Sequence, residues 1–199
     1  MTSRRALSLL LAVVVAVSVP VSPALAQSPA ERALAVPTGR AVLPDGRVEP
    51  GEWRDALEVT AAPDVKLYIK RDSLFLYIAV VRETPRLFGV NLYLGAPGAA
   101  EYLNLHASAK LGERTGRGGA WPEWAWWNNA GWAANVGRID TFEPRRFLVD
   151  EAKEFQIRLH RLPAGELALG ADLEGTEGVT PLFTKAPARD GLHWITLRL

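Results

Sequence analysis

The sequence predicts an all-β domain: an antiparallel β-sandwich with jelly-roll or immunoglobulin-like layering, preceded by a cleaved signal peptide. Three observations predict it. Turn-forming clusters recur at short intervals, among them Pro44-Asp45-Gly46, Pro63-Asp64, Arg71-Asp72, Gly95 to Gly98, Pro163-Ala164-Gly165, Gly175 to Gly178 and Asp190-Gly191. The runs between them are rich in branched and aromatic residues and alternate with period two. Sustained helical periodicity is missing: the one helical candidate, Arg145 to Glu154, reads equally well as strand-turn-strand with its turn at Asp150-Glu151.

The elements follow in chain order. Arg4 and Arg5 precede an uncharged, mostly apolar run, Ala6 to Val19, and Ala24-Leu25-Ala26 gives a small-x-small cleavage site. That is a signal peptide over residues 1–26, too short for a membrane span, so the chain is expected to be secreted or periplasmic. Residues 27–35 are a polar lead, and 36–199 the sandwich. In Val65 to Lys70, Val65, Leu67 and Ile69 oppose Lys66, Tyr68 and Lys70. Ser73 to Val81 is apolar on both faces, as a central strand covered on both sides would be. In Gly89 to Leu94, Val90, Leu92 and Leu94 oppose Asn91 and Tyr93. In Tyr102 to Ala109, Leu103, Leu105 and Ala107 oppose Asn104, His106 and Ser108. Phe155, Ile157 and Leu159 alternate with polar residues, and His193 to Leu199 makes the last strand.

Charge and composition exclude several classes. Removing the signal with its two arginines leaves 23 − 2 = 21 basic and 22 acidic residues, a net charge of −1. That balance gives no general drive toward nucleic acid or anionic membranes. Without cysteine there is no thiol nucleophile, zinc–thiolate site or c-type haem attachment. No G-x-S-x-G, HExxH or Walker pattern occurs, and Gly116-Arg117-Gly118-Gly119 reads as a loop. His106 and Ser108 share a strand face, but no acid on that strand is placed to orient the histidine, so no enzyme activity is expected.

The stretch from Asp45-Gly46 through Trp53-Arg54-Asp55-Ala56 is distinctive. With Val65 to Lys70, Asp72, Leu76-Tyr77-Ile78-Ala79-Val80, Val90-Asn91-Leu92-Tyr93-Leu94, Glu154-Phe155-Gln156-Ile157 and a final Leu-x-Leu, it resembles family 9 carbohydrate-binding modules and the related DOMON-like domains. The resemblance spans roughly Val36 to Leu199, with the middle third poorly matched. It implies a β-sandwich that binds sugars or, in the wider group, haem. It also implies that Asn91, Tyr93, Asn104, His106 and Asp172 occupy the polar binding face. The family's sugar clamp of two tryptophans is missing: Thr84 to Phe88 and Ala186 to Asp190 contain none, and Asn91 stands where an acid is usual. Haem ligation in the wider group uses methionine, and the only one here is Met1. Calcium occurs in some members, and Asp45, Glu49, Glu52 and Asp55 are the acids that would hold it. Otherwise no metal or cofactor is expected. Trp53 reads as structural, covering the sandwich end.

Five of seven tryptophans fall in residues 121–132, WPEWAWWNNAGW, within an insertion over 117–132. Pro122, Asn128-Asn129 and Gly131 break it into loop-like pieces, and adjacent Trp126 and Trp127 cannot share a strand face. Trp132 heads a short strand and is expected in the core. The others form either a self-packed cap or a substitute for the lost clamp. In the second case Trp124, Trp126, Trp127 and Asn128 join Asn104 and His106 if the flap folds over the polar face. The expected function is therefore non-catalytic ligand binding, with carbohydrate first. A protein-interaction or envelope-associated module using the flap is the alternative, and a haem-binding redox domain is third.

Overall fold

The computed structural model describes residues 32–199 except 50, 85, 138 and 143, with the side chains of 139–142, 145 and 147 also left aside. The expected signal peptide, and the lead as far as residue 31, lie outside the described residues. The strands are β1 (Leu34–Ala35), β2 (Leu57–Ala62), β3 (Val65–Arg71), β4 (Phe75–Arg82), β5 (Gly89–Gly95), β6 (Glu101–Ala107), β7 (Leu111–Arg117), β8 (Ala125–Trp126), β9 (Trp132–Ala134), β10 (Ile139–Phe142), β11 (Arg145–Phe147), β12 (Ala152–Arg158), β13 (Glu166–Gly175), β14 (Gly178–Pro181), β15 (Ala188–Arg189) and β16 (Leu192–Arg198). One sheet runs β1-β16-β13-β5-β6-β7-β8, with β14 beside β13 and β15 beside β16; the other runs β2-β3-β4-β12-β9. Their pairings are antiparallel except β1 with β16, which is parallel. The helical candidate resolves into β11, an irregular link over 148–151 with a bend at Glu151, and the start of β12, so the strand reading holds without a regular turn at Asp150-Glu151. No helix among the described residues is long and apolar enough to cross a membrane.

Period-two patterning sets the core. Leu67, Ile69, Ile78, Val80, Phe155 and Ile157 of the smaller sheet face Leu92, Leu105, Leu167 and Leu169 of the larger, all essentially without solvent contact. Trp132 lies in this core, stacked on Phe155 with centroids 6.3 Å apart.

Both outer faces are covered too, which explains why β4 is apolar on both sides. Trp53 does not cap the sandwich end. It lies on the outer face of the smaller sheet with Val42, Tyr77, Ala79 and Ala152. Glu154 pins it there: Oε1 accepts from Trp53 Nε1 at 3.0 Å, and Oε2 accepts from the backbone N–H groups of Asp45 (3.0 Å) and Gly46 (2.8 Å). A carboxylate on an inner strand thus finds the three donors that its burial demands. Nearby, the buried Lys70 ammonium donates to Asp55 Oδ1 at 2.7 Å and to the Glu52 carbonyl.

Candidate functional site

The outer face of the larger sheet carries the polar side chains of β5, β6 and β13. Cross-strand pairing puts Asn91 beside both His106 and Asp172, and Tyr93 beside Asn104. These five side chains are buried and bonded to one another or to the sheet. Asp172 accepts from Asn91 Nδ2 (2.7 Å) and Tyr93 Oη (2.6 Å). His106 Nδ1 lies 2.8 Å from Asn91 Oδ1, and Nε2 lies 2.7 Å from Ser108 Oγ. Asn104 Nδ2 donates to the Leu92 carbonyl at 3.1 Å, while its Oδ1 accepts from Arg114 Nε at 2.9 Å. Burial raises the Asp172 carboxyl pKa and lowers that of His106, each by penalising the charged form; hydrogen bonds from Tyr93 and Asn91 oppose it at Asp172, the Glu174 carboxylate at His106. Burial also holds the Tyr93 phenol protonated far above its ordinary range, reinforced by Asp172.

The Trp-rich flap is what buries them. Trp121 packs against Tyr93 (5.4 Å between centroids) and Tyr102 (5.5 Å), with Trp194 beyond them. Trp124 and Trp126 stack at 5.3 Å and cover the His106 ring at 5.4 and 5.6 Å. Cations fill the gaps: Arg114 Cζ lies 4.7 Å from the Trp121 ring and 3.9 Å from that of Trp124, and Lys110 Nζ stands 3.4 Å over Trp126. The strand beneath is shaped to receive the rings. A Cβ on Gly112 would meet Trp126 Cε3 at 2.6 Å, and one on Gly116 would meet Trp121 Cε3 at 2.6 Å. Only glycine at these positions of β7 lets indoles lie on the sheet.

The structure thus brings Trp124 and Trp126 onto His106, which Asn91 ties to Asp172, while Trp121 covers Tyr93 and Arg114 links Trp124 to Asn104. Trp127 and Asn128 point elsewhere, to solvent; Trp127 is 60 % exposed. Trp127 also has φ 61°, a left-handed backbone that costs a bulky residue energy. Sequence reasoning missed Lys110, Gly112, Arg114 and Gly116. The signal was present as a Gly-x-Arg-x-Gly alternation, which leaves small and cationic positions on one strand face. Of the acids considered for calcium, Asp55 is engaged by Lys70, and Asp45 Oδ1 accepts from Arg47 N at 2.9 Å. Among the described residues no group of three or more His, Asp or Glu side chains stands close enough to hold a metal ion.

No family model matches the chain, and no curated protein matches it by sequence. A solved structure has the same fold: a carbohydrate binding module family 9 (CBM9) from Caldicellulosiruptor kristjanssonii in complex with cellotriose. It is 13% identical, with a TM-score of 0.53, over 84% of this chain and 93% of that chain. The fold of this chain is therefore a CBM9-like β-sandwich, as the resemblance in its sequence implied.

Proposed function

We propose that the protein is an exported carbohydrate-binding module in which the Trp-rich flap replaces the family's missing clamp. The observation that carries this reading is Trp127. A large apolar ring is held in solvent by a strained backbone, next to Trp126 and Asn128. A pyranose offers apolar C–H faces and a rim of hydroxyls, so it suits an indole platform flanked by an amide. Exposed Trp127, with Trp126 and Asn128 on either side in the chain, supplies the platform. Trp124 stacks on Trp126, and both rest on His106, which is bonded through Asn91 to Asp172. The flap carries no nucleophile or acid–base pair, so it binds without turnover. The fold shared with a sugar-binding module supports the reading, as does the signal-like segment at residues 1–26.

Intrinsic tryptophan fluorescence, titrated with mono- and oligosaccharides and cell-wall fragments, tests it. A saturable shift is expected in the parent protein, with affinity lost in Trp127→Ala and weakened in Asn128→Ala. Unchanged affinity in both variants would sink the platform. No response to any saccharide, together with a protein captured through Trp127, would favour the interaction module instead.

A further inference from the structure

The chain of side chains under the flap has a polarity that can be followed from end to end. At one end, Asp172 takes its bonds from Tyr93 Oη and Asn91 Nδ2. That turns Asn91 Oδ1 toward His106, so the hydrogen bond at 2.8 Å requires the proton on His106 Nδ1. Nε2 is then the bare nitrogen, and Ser108 Oγ–H donates into it at 2.7 Å. Neither residue's neighbours along β6 supply this order; the orienting amide comes from β5 and its anchor from β13. We infer that Ser108 is a nucleophile activated by His106 in a Ser–His–Asn arrangement, and that it acts on a small acyl ester.

Three further observations fit. Ser108 is half-buried and lines an open cavity of about 350 Å³ with Leu87, Phe88, Gly89, Asp150 and Lys153. The approach to the pair is kept clear by Gly89, where a Cβ would stand 3.1 Å from Ser108 Cβ and 3.3 Å from His106 Cε1. Buried Lys153, held by Asp150 at 2.7 Å, brings its ammonium to the same wall, 3.5 Å from the Ser108 carbonyl oxygen. Burial also lowers the histidine pKa, which leaves the ring neutral and able to take a proton at pH 7.

The chemistry balances with water as the only co-reactant. Ser108 Oγ bonds to the ester carbonyl carbon as its proton passes to His106 Nε2. The C–O bond to the alcohol breaks, and Nε2–H returns the proton to the leaving oxygen. Water, deprotonated by Nε2, then attacks the acyl-serine; the C–Oγ bond breaks, Nε2–H returns its proton to Ser108 Oγ, and the carboxylic acid leaves. This inference goes beyond sugar binding and does not rest on it, because the cavity uses none of the exposed flap rings.

The test treats the full chain with a fluorophosphonate probe, in which Oγ–P forms, P–F breaks and HF leaves. Peptide mapping locates the adduct, and p-nitrophenyl acetate is assayed in parallel. An adduct on Ser108 is expected, forming at least about 100-fold faster than in His106→Gln. The labelling rate should rise with pH through one titration below the ordinary histidine range. Ser108→Ala should lose both labelling and ester hydrolysis while its near-UV circular dichroism and saccharide titration stay unchanged. No adduct on the folded protein, an adduct on another residue, or equal rates with and without the imidazole would overturn the proposal. The chain would then be a structural network joining three strands. No labelling of the parent protein, whose saccharide response is intact, separates this failure from failure of the sugar reading.

Discussion

A methyl group on residue 116 would be placed inside the indole of Trp121. The ring is packed against Tyr93, Tyr102 and Arg114, and shifting it off residue 116 would loosen those contacts. Gly116→Ala should therefore lift Trp121 off β7. The two tilted ring pairs are worth about 0.5–1.5 kcal/mol each beyond buried area, and the Arg114 contact about 0.5–1 kcal/mol. Together they come to about 1.5–4 kcal/mol. Replacing an extended glycine by alanine returns about 0.5–1 kcal/mol by restricting the unfolded chain, so the net loss is about 0.5–3.5 kcal/mol. For a domain of this size that lowers Tm by about 1–14 °C. Urea unfolding gives the free energy, and near-UV circular dichroism reports the loss of fixed indoles. The decisive comparison is a double-mutant cycle. In a Trp121→Ala background the same substitution should be neutral or slightly stabilising. An equal cost in both backgrounds would refute the cradle and place the effect in β7 itself.

Three other outcomes follow from the geometry. Burial pushes Glu154 up to about 7 against the three N–H donors that face it. The folded state thus holds a proton that the unfolded chain releases above about 4.5. Stability from this group is complete below that value and falls by up to about 3 kcal/mol as pH rises to about 7; Glu154→Gln should flatten that part of the stability–pH curve. Trp127→Gly removes a left-handed strain of about 1–2 kcal/mol but also the burial of roughly 80 Å² of ring, about 2 kcal/mol. Its unfolding free energy should stay within about 1 kcal/mol of the parent while saccharide affinity is lost, and a large stability loss would contradict the reading of its backbone. Tyr93→Phe takes one of two side-chain donors from buried Asp172 and should cost about 1–3 kcal/mol in urea unfolding.

How far the sequence reached depends on where each side chain's neighbours come from. Strands whose apolar face meets the other sheet were legible: β3, β5, β6, β12 and β16 all follow their alternation. β7 was not. On its outer face it carries Gly112, Arg114 and Gly116, because its apolar cover is supplied by tryptophans ten or so residues on, and a strand roofed by another segment shows no hydrophobic period of its own. Trp53 was correctly read as structural but put at the wrong surface, since its partner Glu154 lies a hundred residues away and faces outward. The polar face was anticipated as a set. Its internal bonding was not: searching along β6 for a group to orient His106 finds nothing, whereas register places Asn91 directly across on β5. Pairing partners are a tertiary fact, and they decided which polar residues touch solvent and which touch one another.

The parallel pairing of β1 with β16 bears on the order of folding. Leu34 is in register with Leu197, a separation of 197 − 34 = 163 residues, and Val36 N donates to the Arg198 carbonyl at 2.9 Å. β16 also pairs along β13. Until β16 is in place, β13 keeps an open edge and β1 has no sheet to join. Contacts of such long range pay the full entropy of loop closure before they return anything. The larger sheet is therefore completed late, once β16 has joined both β13 and β1. A chain without β16 stays short of its native state, with the β13 edge unpaired from Glu166 to Gly170.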